Sequence, residues 1–305
     1  MPNDTRALAV RDVSLRDGLQ DEAPIPTEEK VAIFEALVAA GVRDLELTSF
    51  VRPDRVPALA DAEQFVAATN GATDVRRWGL VLNERGAERA LAAGLEHLQF
   101  VLSVSEPHNR VNAGRSVDDS FAALASIRAA APDATVELTL ATSFGCPHAG
   151  PVDPDAVDAC VARAIDAGVD GIGLADTIGT AVPSEVAHVI GRAVARGGEA
   201  VPIGAHLHDT RGLAIANALA AVDAGAARLD AALGGLGGCP FAPGASGNVP
   251  LEDLAHVLVA EGYDIGLDVA GLVDAAHVAC RATGRTIGSH VGAAGPRFAV
   301  LHPVG

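Results

Sequence analysis

The chain has 305 residues, of which 49% are hydrophobic and 20% charged, with a formal net charge of −17. That balance supplies ample material for a globular core, and so acidic a chain lacks the basic surface that nucleic acid or an anionic membrane requires. No apolar run approaches the roughly 18 residues of a membrane-spanning helix.

Residues 1–10 have neither a basic region nor an apolar stretch of the signal-peptide kind, and four cysteines (146, 160, 239 and 280) do not make a disulfide framework. A cytoplasmic protein with reduced thiols is expected.

Short β-rich runs lie at 8–14, 44–49, 77–82, 97–104, 135–142, 170–175, 202–207 and 228–233. Between them fall Ala-rich amphipathic stretches near 27–40, 56–69, 84–93, 117–130, 154–167, 183–196, 211–224 and 250–261. Thr27 followed by Glu28 and Glu29 reads as a helix start, with a capping hydroxyl and an acidic first turn. Gly41, Gly94, Gly168 and Gly225 each end a helix just before the next strand. The phrases AAGVRDLEL, AAGLEHLQF, DAGVDGIGL and DAGAARLDA thus repeat one helix–glycine–strand join.

Repeated βα units predict an α/β fold with a parallel sheet covered by helices, and eight of them close as a (β/α)8 TIM barrel. A doubly wound open sheet is disfavoured, because no G-x-G-x-x-G follows the first strand. Residues 266–283 predict one further helix, giving a catalytic domain over 1–283, and 284–305 read as a Gly/Pro-rich tail free to be mobile.

Active sites of such barrels gather at the C-terminal ends of the strands. The unusual polar residues fall at those ends. Arg16 and Asp17 follow the first strand, Glu46 and Ser49 lie on the second, and Asp176 and Thr177 follow the sixth. His206 and His208 end the seventh, with Cys239 and Asn248 in the loop after the eighth. On a strand, residues 206 and 208 point the same way about 6 to 7 Å apart, which suits chelation. Asp17 and Asn248 can complete a shell of one carboxylate, two imidazoles and an amide oxygen. That shell suits Mg²⁺ or Mn²⁺ with about two positions left for substrate or water. Zinc, which favours more sulfur, stays open through the Cys239 thiolate.

Each segment also has a plainer reading when taken alone. His-x-His pairs occur on surfaces and in cores, Asp209 or Thr210 can simply cap a helix, and Arg16–Asp17 can be a local ion pair. Glu46 and Asp176 can be solvated loop charges. Their convergence on one end of one barrel favours a site.

The stretch GGLGGCPFAPGASGN is too glycine-rich for a strand or helix. Loops of that kind close over substrates, and a thiol carried on one can serve as an acid or base once a nearby cation lowers its pKa. Packing alone is the alternative for Cys239. Cys146, at the end of the fifth strand, reads as structural or lining, and Cys160 and Cys280 as buried and inert.

SLRDGLQDE, DLELTSFVRPDRVPALAD, SVSEPHNRVNAGRS, GLADTIGTAVP, HLHDTRGLAIANALAA and GGLGGCPFAPGASGN together resemble the 3-hydroxy-3-methylglutaryl-CoA (HMG-CoA) lyase family over nearly the whole chain. The first and fifth segments mark the wider group of metal-dependent barrel lyases and synthases, and the last points to the lyase branch. The resemblance implies divalent-metal ligation, by Mg²⁺ or Mn²⁺, through Asp17, His206, His208 and Asn248. It also implies that Arg16 neutralises the thioester oxygen as an enolate forms, and that Cys239 is a mobile acid/base. Glu46 and Asp176 become proton-handling or supporting carboxylates, while Gln20, Ser49, Thr177 and Asn112 line the pocket.

The implied reaction is retro-Claisen cleavage of HMG-CoA to acetoacetate and acetyl-CoA, in a homodimer or larger homo-oligomer. The implied pathway setting is leucine degradation. Two departures bear on the acyl group: Ala23 stands where many members carry lysine, and Glu106–Arg110 differ from the usual F-S-x-K pattern. A lyase for a longer 3-hydroxy-3-alkylglutaryl-CoA, a Claisen-type acyltransferase and a silent acyl-CoA-binding barrel are the competing readings. Arg52, Arg110 and Arg115 are the expected contacts for CoA phosphates.

Overall fold

The structure, a computed structural model, describes residues 6–238 and 247–297. Eight parallel strands form a closed barrel. They are β1 (Ala9–Asp12), β2 (Asp44–Ser49), β3 (Arg76–Val81), β4 (His97–Ser103), β5 (Thr135–Ala141), β6 (Gly171–Asp176), β7 (Ile203–Leu207) and β8 (Arg228–Ala231). Each pairs with its neighbour in sequence, and β8 pairs with β1 through Leu229↔Val10 to close the ring. The expected (β/α)8 barrel is therefore present.

Around it lie α1 (Thr27–Ala39), α2 (Ala62–Ala68), α3 (Glu84–Ala92), α4 (Glu106–Ala113), α5 (Val117–Ala130) and α6 (Pro154–Asp166). The ring continues with α7 (Pro183–Gly197), α8 (Ala214–Asp223) and α9 (Leu251–Ala260), and two further helices follow, α10 (Val269–Thr283) and α11 (His290–Ala294). None of these helices is long and apolar enough to cross a membrane.

Alternation along the strands divides the core in two. Leu98, Phe100 and Leu102 on β4, and Val136, Leu138 and Leu140 on β5, are fully buried and pack with the helices. The intervening positions point inward and are largely polar. Arg11, Gln99, Glu137 and Thr139 meet across the barrel, with Arg11 donating to Gln99 at 2.9 Å and Gln99 to Thr139 at 2.7 Å. Arg11 also stacks 3.8 Å from the ring centre of Trp78.

The ends of the elements depart from the sequence expectation in ways that matter for the site. The first strand stops at Asp12, and Ser14–Gly18 form a π-helical turn in place of the predicted continuation to residue 14. Asp12 causes the stop: its carboxylate takes the Ser14 backbone N–H at 3.0 Å and the Ser14 hydroxyl at 2.6 Å, drawing the chain out of the sheet.

Glu106–Ala113, which the periodicity does not mark, is the helix α4, with Pro107 in its first turn and left-handed Gly114 at its end. Within 284–297, α11 is anchored to α9, where Asp253 accepts the backbone N–H groups of His290 (2.9 Å) and Val291 (2.7 Å).

Candidate active site

The π-helical turn after β1 carries Arg16 and Asp17 over the C-terminal mouth of the barrel, and both are buried. Such one-turn π insertions re-aim side chains and recur at functional sites. His206 rises from the interior face of β7, and His208 stands two residues on. Their Nε2 atoms lie 3.2 Å apart, at 3.9 Å (His206) and 3.5 Å (His208) from Asp17 Oδ2. One ligand atom from each of the three falls within 4.8 Å of the others.

Asn248 arrives from 231 residues away, because Val249 donates to Leu207 O (3.0 Å) and Asp209 to Gly247 O (3.0 Å). This short pairing lays residues 247–249 beside the end of β7. The Asn248 amide nitrogen then donates to Asp17 Oδ2 at 2.7 Å and to Leu236 O at 3.0 Å. Its Oδ1 is buried with no hydrogen-bond partner among the described residues. A buried carbonyl oxygen without a donor is costly, and a cation is one group that would satisfy it. Gly237 makes the approach possible: at φ +111° any Cβ is strained, and one built there would lie 2.7 Å from the Asn248 amide nitrogen.

The donor set of one carboxylate, two imidazoles and one orphaned amide oxygen thus fits a hard to borderline divalent cation. The Asp17 carboxyl is held well below the usual range: burial opposes this, but the Arg16 charge and both histidines overcome it. An ionised Asp17 is what a cation site requires.

Arg16 lies between two carboxylates, donating to Asp17 Oδ1 and, at 2.7 Å, to Glu46 Oε2. Burial disfavours its charge, but Glu46 and Asp17 hold the guanidinium protonated. Its Nε and Glu46 Oε1 have no hydrogen-bond partners among the described residues. Gln20 donates to Asp17 Oδ1 at 3.1 Å.

Arg16, Asp17, Gln20, Glu46, Ser49, Asn112, Thr177, His206 and His208 all line one cavity of about 1120 Å³. Thr177 accepts the Thr142 N–H at 2.8 Å, which ties the ends of β6 and β5 together. Asp176 is placed differently. It is fully buried, takes the backbone N–H groups of Thr180 and Ala181 at 2.9 Å each, and is not among the cavity-lining residues. Its carboxylate shapes the turn that presents Thr177. Cys239 lies outside the described residues.

Of the arginines expected to meet phosphates, Arg52 and Arg110 reach the cavity and Arg115 does not. Arg52 is already bound to Asp54 at 2.6 and 2.9 Å. Arg55 and Arg85, which the sequence pattern did not single out, also line the cavity and form no ion pair among the described residues. His108 on α4 is buried beside the cavity, its Nδ1 2.7 Å from the Ser103 hydroxyl, and burial pushes its pKa down to about 4. Asp230, beneath His206, is another site neighbour that the sequence pattern marks only as part of a strand. The signal was available: Arg228 and Asp230 alternate on the inward face of β8.

A model of the HMGL-like family matches residues 7–279. The chain is 39% identical over 305 residues to an (R)-citramalyl-CoA lyase of Chloroflexus aurantiacus, covering 96% of both proteins. It is 38% identical over 267 residues to the hydroxymethylglutaryl-CoA lyase YngG of Bacillus subtilis, covering 87% of this chain and 88% of that one. Its fold superposes with a TM-score of 0.93 on an HMG-CoA lyase from Acinetobacter baumannii solved with coenzyme A and 3-methylmalate, at 37% identity and 100% coverage of both chains.

Proposed function

The chain belongs to the HMGL-like family of lyases, and from that premise we propose that it is a divalent-metal-dependent carbon–carbon lyase acting on HMG-CoA. The observation that carries this is the convergence of Asp17, His206, His208 and the orphaned Asn248 oxygen next to a buried, charged Arg16.

A bound divalent cation would supply Lewis acidity, lowering the pKa of the substrate's tertiary hydroxyl. Loss of that proton to the unpartnered Oε1 of Glu46 lets the hydroxyl carbon become a ketone, and the pair from the broken C–C bond passes to the thioester side as the acetyl-CoA enolate. Arg16 places a fixed positive charge where that negative charge develops, so it stabilises the transition state more than the ground state. Glu46 holds Arg16 through the 2.7 Å contact and positions it. The enolate then takes one proton to give acetyl-CoA. Cys239, immediately after the described residue 238, is the proposed donor. Ser49, Thr177 and Asn112 bound the acyl pocket in this proposal, and Arg55 and Arg85 offer guanidiniums for the CoA phosphates at the rim of an otherwise acidic protein.

Similarity to the Chloroflexus protein favours one second reading, (R)-citramalyl-CoA as substrate. That thioester has the same tertiary hydroxyl and methyl group but a carboxylate one methylene closer, so it would release pyruvate instead of acetoacetate.

The test is acetyl-CoA release from each thioester with Mg²⁺ or Mn²⁺, for wild type, Arg16→Met and Cys239→Ser. The expected result is turnover of HMG-CoA, with both variants slower by about a hundredfold or more. Turnover of citramalyl-CoA alone would keep the chemistry and change the substrate. No cleavage of either by metal-loaded protein refutes the proposal.

A further inference from the structure

Beneath the proposed metal ligands, the barrel interior carries a second set of charges that the chemistry above does not use. Arg228 on β8 donates through Nη1 to Glu137 Oε2 and through Nε to Asp230 Oδ1 at 2.9 Å. Glu137 is shared with Arg11, which donates to it at 2.9 Å and in turn reaches Asp44 at 2.7 Å. All five groups are buried. The chain of alternating charges runs through the barrel and ends at Asp230, whose second oxygen, Oδ2, faces His206 Nδ1 at 3.4 Å. His206 Nε2, on the far side of the ring, faces His208 and Asp17.

We propose that Asp230 is the positioning residue for His206, held in place for that task by Arg228 and Glu137. The inference rests on the reading of His206 as a metal ligand. The chemistry of the contacts carries it. An ionised carboxylate only accepts, and Nδ1 lies nearer Asp230 (3.4 Å) than Nε2 lies to Asp17 (3.9 Å), so in the neutral ring Nδ1 carries the proton and Nε2 keeps a free lone pair directed at the cation site. With one oxygen of Asp230 fixed by Arg228, the other has a defined place, and the imidazole cannot flip without losing its partner. Among the described residues His208 has no such support, since its Nδ1 is buried without a hydrogen-bond partner there. The two imidazoles are therefore unequal: His206 is preset in tautomer and orientation, and His208 is not.

The backbone is shaped around this device. A Cβ at Gly204, one β7 pleat below His206, would lie 3.0 Å from Arg228 Nη2 and 3.1 Å from its Cζ. Glycine there gives the guanidinium its berth against the strand that carries His206.

The test compares Asp230→Asn and Gly204→Ala with Asp44→Asn, which perturbs the same charge chain at its far end without touching His206. Mn²⁺ affinity, read by electron paramagnetic resonance of the free ion, should fall about ten- to a hundredfold in Asp230→Asn. A smaller fall is expected in Gly204→Ala, and Asp44→Asn should bind as wild type does. Long-range ¹H–¹⁵N spectra of metal-free, ¹⁵N-histidine-labelled wild type, recorded above the pH at which the ring takes its second proton and assigned with His206→Gln, should show His206 protonated at Nδ1 and bare at Nε2.

Wild-type affinity in folded Asp230→Asn overturns the proposal, as does a wild-type His206 protonated at Nε2. The second readout decides the matter even where a variant fails to fold. If wild type binds no Mn²⁺ yet shows the Nδ1–H form, the metal reading falls and the positioning of His206 stands.

Discussion

Glu252, at the start of α9, is fully buried and holds the root of the segment leading to residue 238. Its two carboxylate oxygens accept the Gly234 N–H at 2.9 and 3.1 Å, and Oε1 also takes the Ser289 hydroxyl at 3.1 Å. Burial pushes its pKa from 4.5 up to about 7 against those hydrogen bonds, with Asp253 adding to the rise. Asp12 and Cys280 are the other titratable groups coupled to it.

Between these two values the folded protein keeps a proton that the unfolded chain has lost. The stability this group contributes is therefore complete below its unfolded pKa and is lost as pH rises through about 7. At about 1.36 kcal/mol per pKa unit, the loss between near pH 5 and near pH 8 comes to roughly 2–3 kcal/mol. Glu252→Gln keeps the shape and an acceptor for Gly234 but cannot ionise. In urea unfolding followed by circular dichroism, the variant should gain that amount on wild type across the interval. Parallel pH profiles for the two proteins, within the roughly 10–15% error of the extrapolation, would refute the placement of a strongly destabilised charge at Glu252.

Three further outcomes are expected. Arg11→Met leaves the buried Asp44 and Glu137 without the cation they share, and should cost about 3–5 kcal/mol in chemical unfolding. A loss under about 1 kcal/mol would mean that Arg76, 2.9 Å from Asp44, and Arg228 carry those carboxylates unaided. Chelator treatment should abolish thioester cleavage, and Mn²⁺ at about a hundred times its Kd should raise unfolding stability by about 2.7 kcal/mol; an Asp17→Asn protein should show no such gain. His108→Phe fills the cavity wall with a ring that has no polar edge, so a KM change for HMG-CoA relative to citramalyl-CoA, with stability held, would place His108 against the acyl group. Unchanged KM for both would exclude that contact.

The barrel was legible because its causes are local. Each helix–glycine–strand join states a period, a stop and a direction, and repeating it leaves a closed parallel sheet as the economical solution. The meeting of Asp17, His206, His208 and Asn248 was legible for a related reason: strand ends are where a barrel collects its polar residues, and His206 and His208 are spaced to share a face. Helix α4 was not legible, since eight residues are too few to show a period, although Pro107 and Gly114 mark its two ends.

Sequence by itself determined that strands alternate with helices, that Arg16, Asp17, His206, His208 and Asn248 sit at one end of them, and that an acidic chain must concentrate arginine wherever it meets an anion. Tertiary structure alone decided what each of those groups faces. The π-helical turn that swings Arg16 between Asp17 and Glu46, the pairing that brings Asn248 to Asp17, and the turn of Asp176 toward backbone N–H groups depend on contacts between distant segments. So does the course of Arg11, Glu137, Arg228 and Asp230 through the barrel to His206. Periodicity says which face a side chain occupies, and only closure of the sheet says which charge waits on the opposite wall.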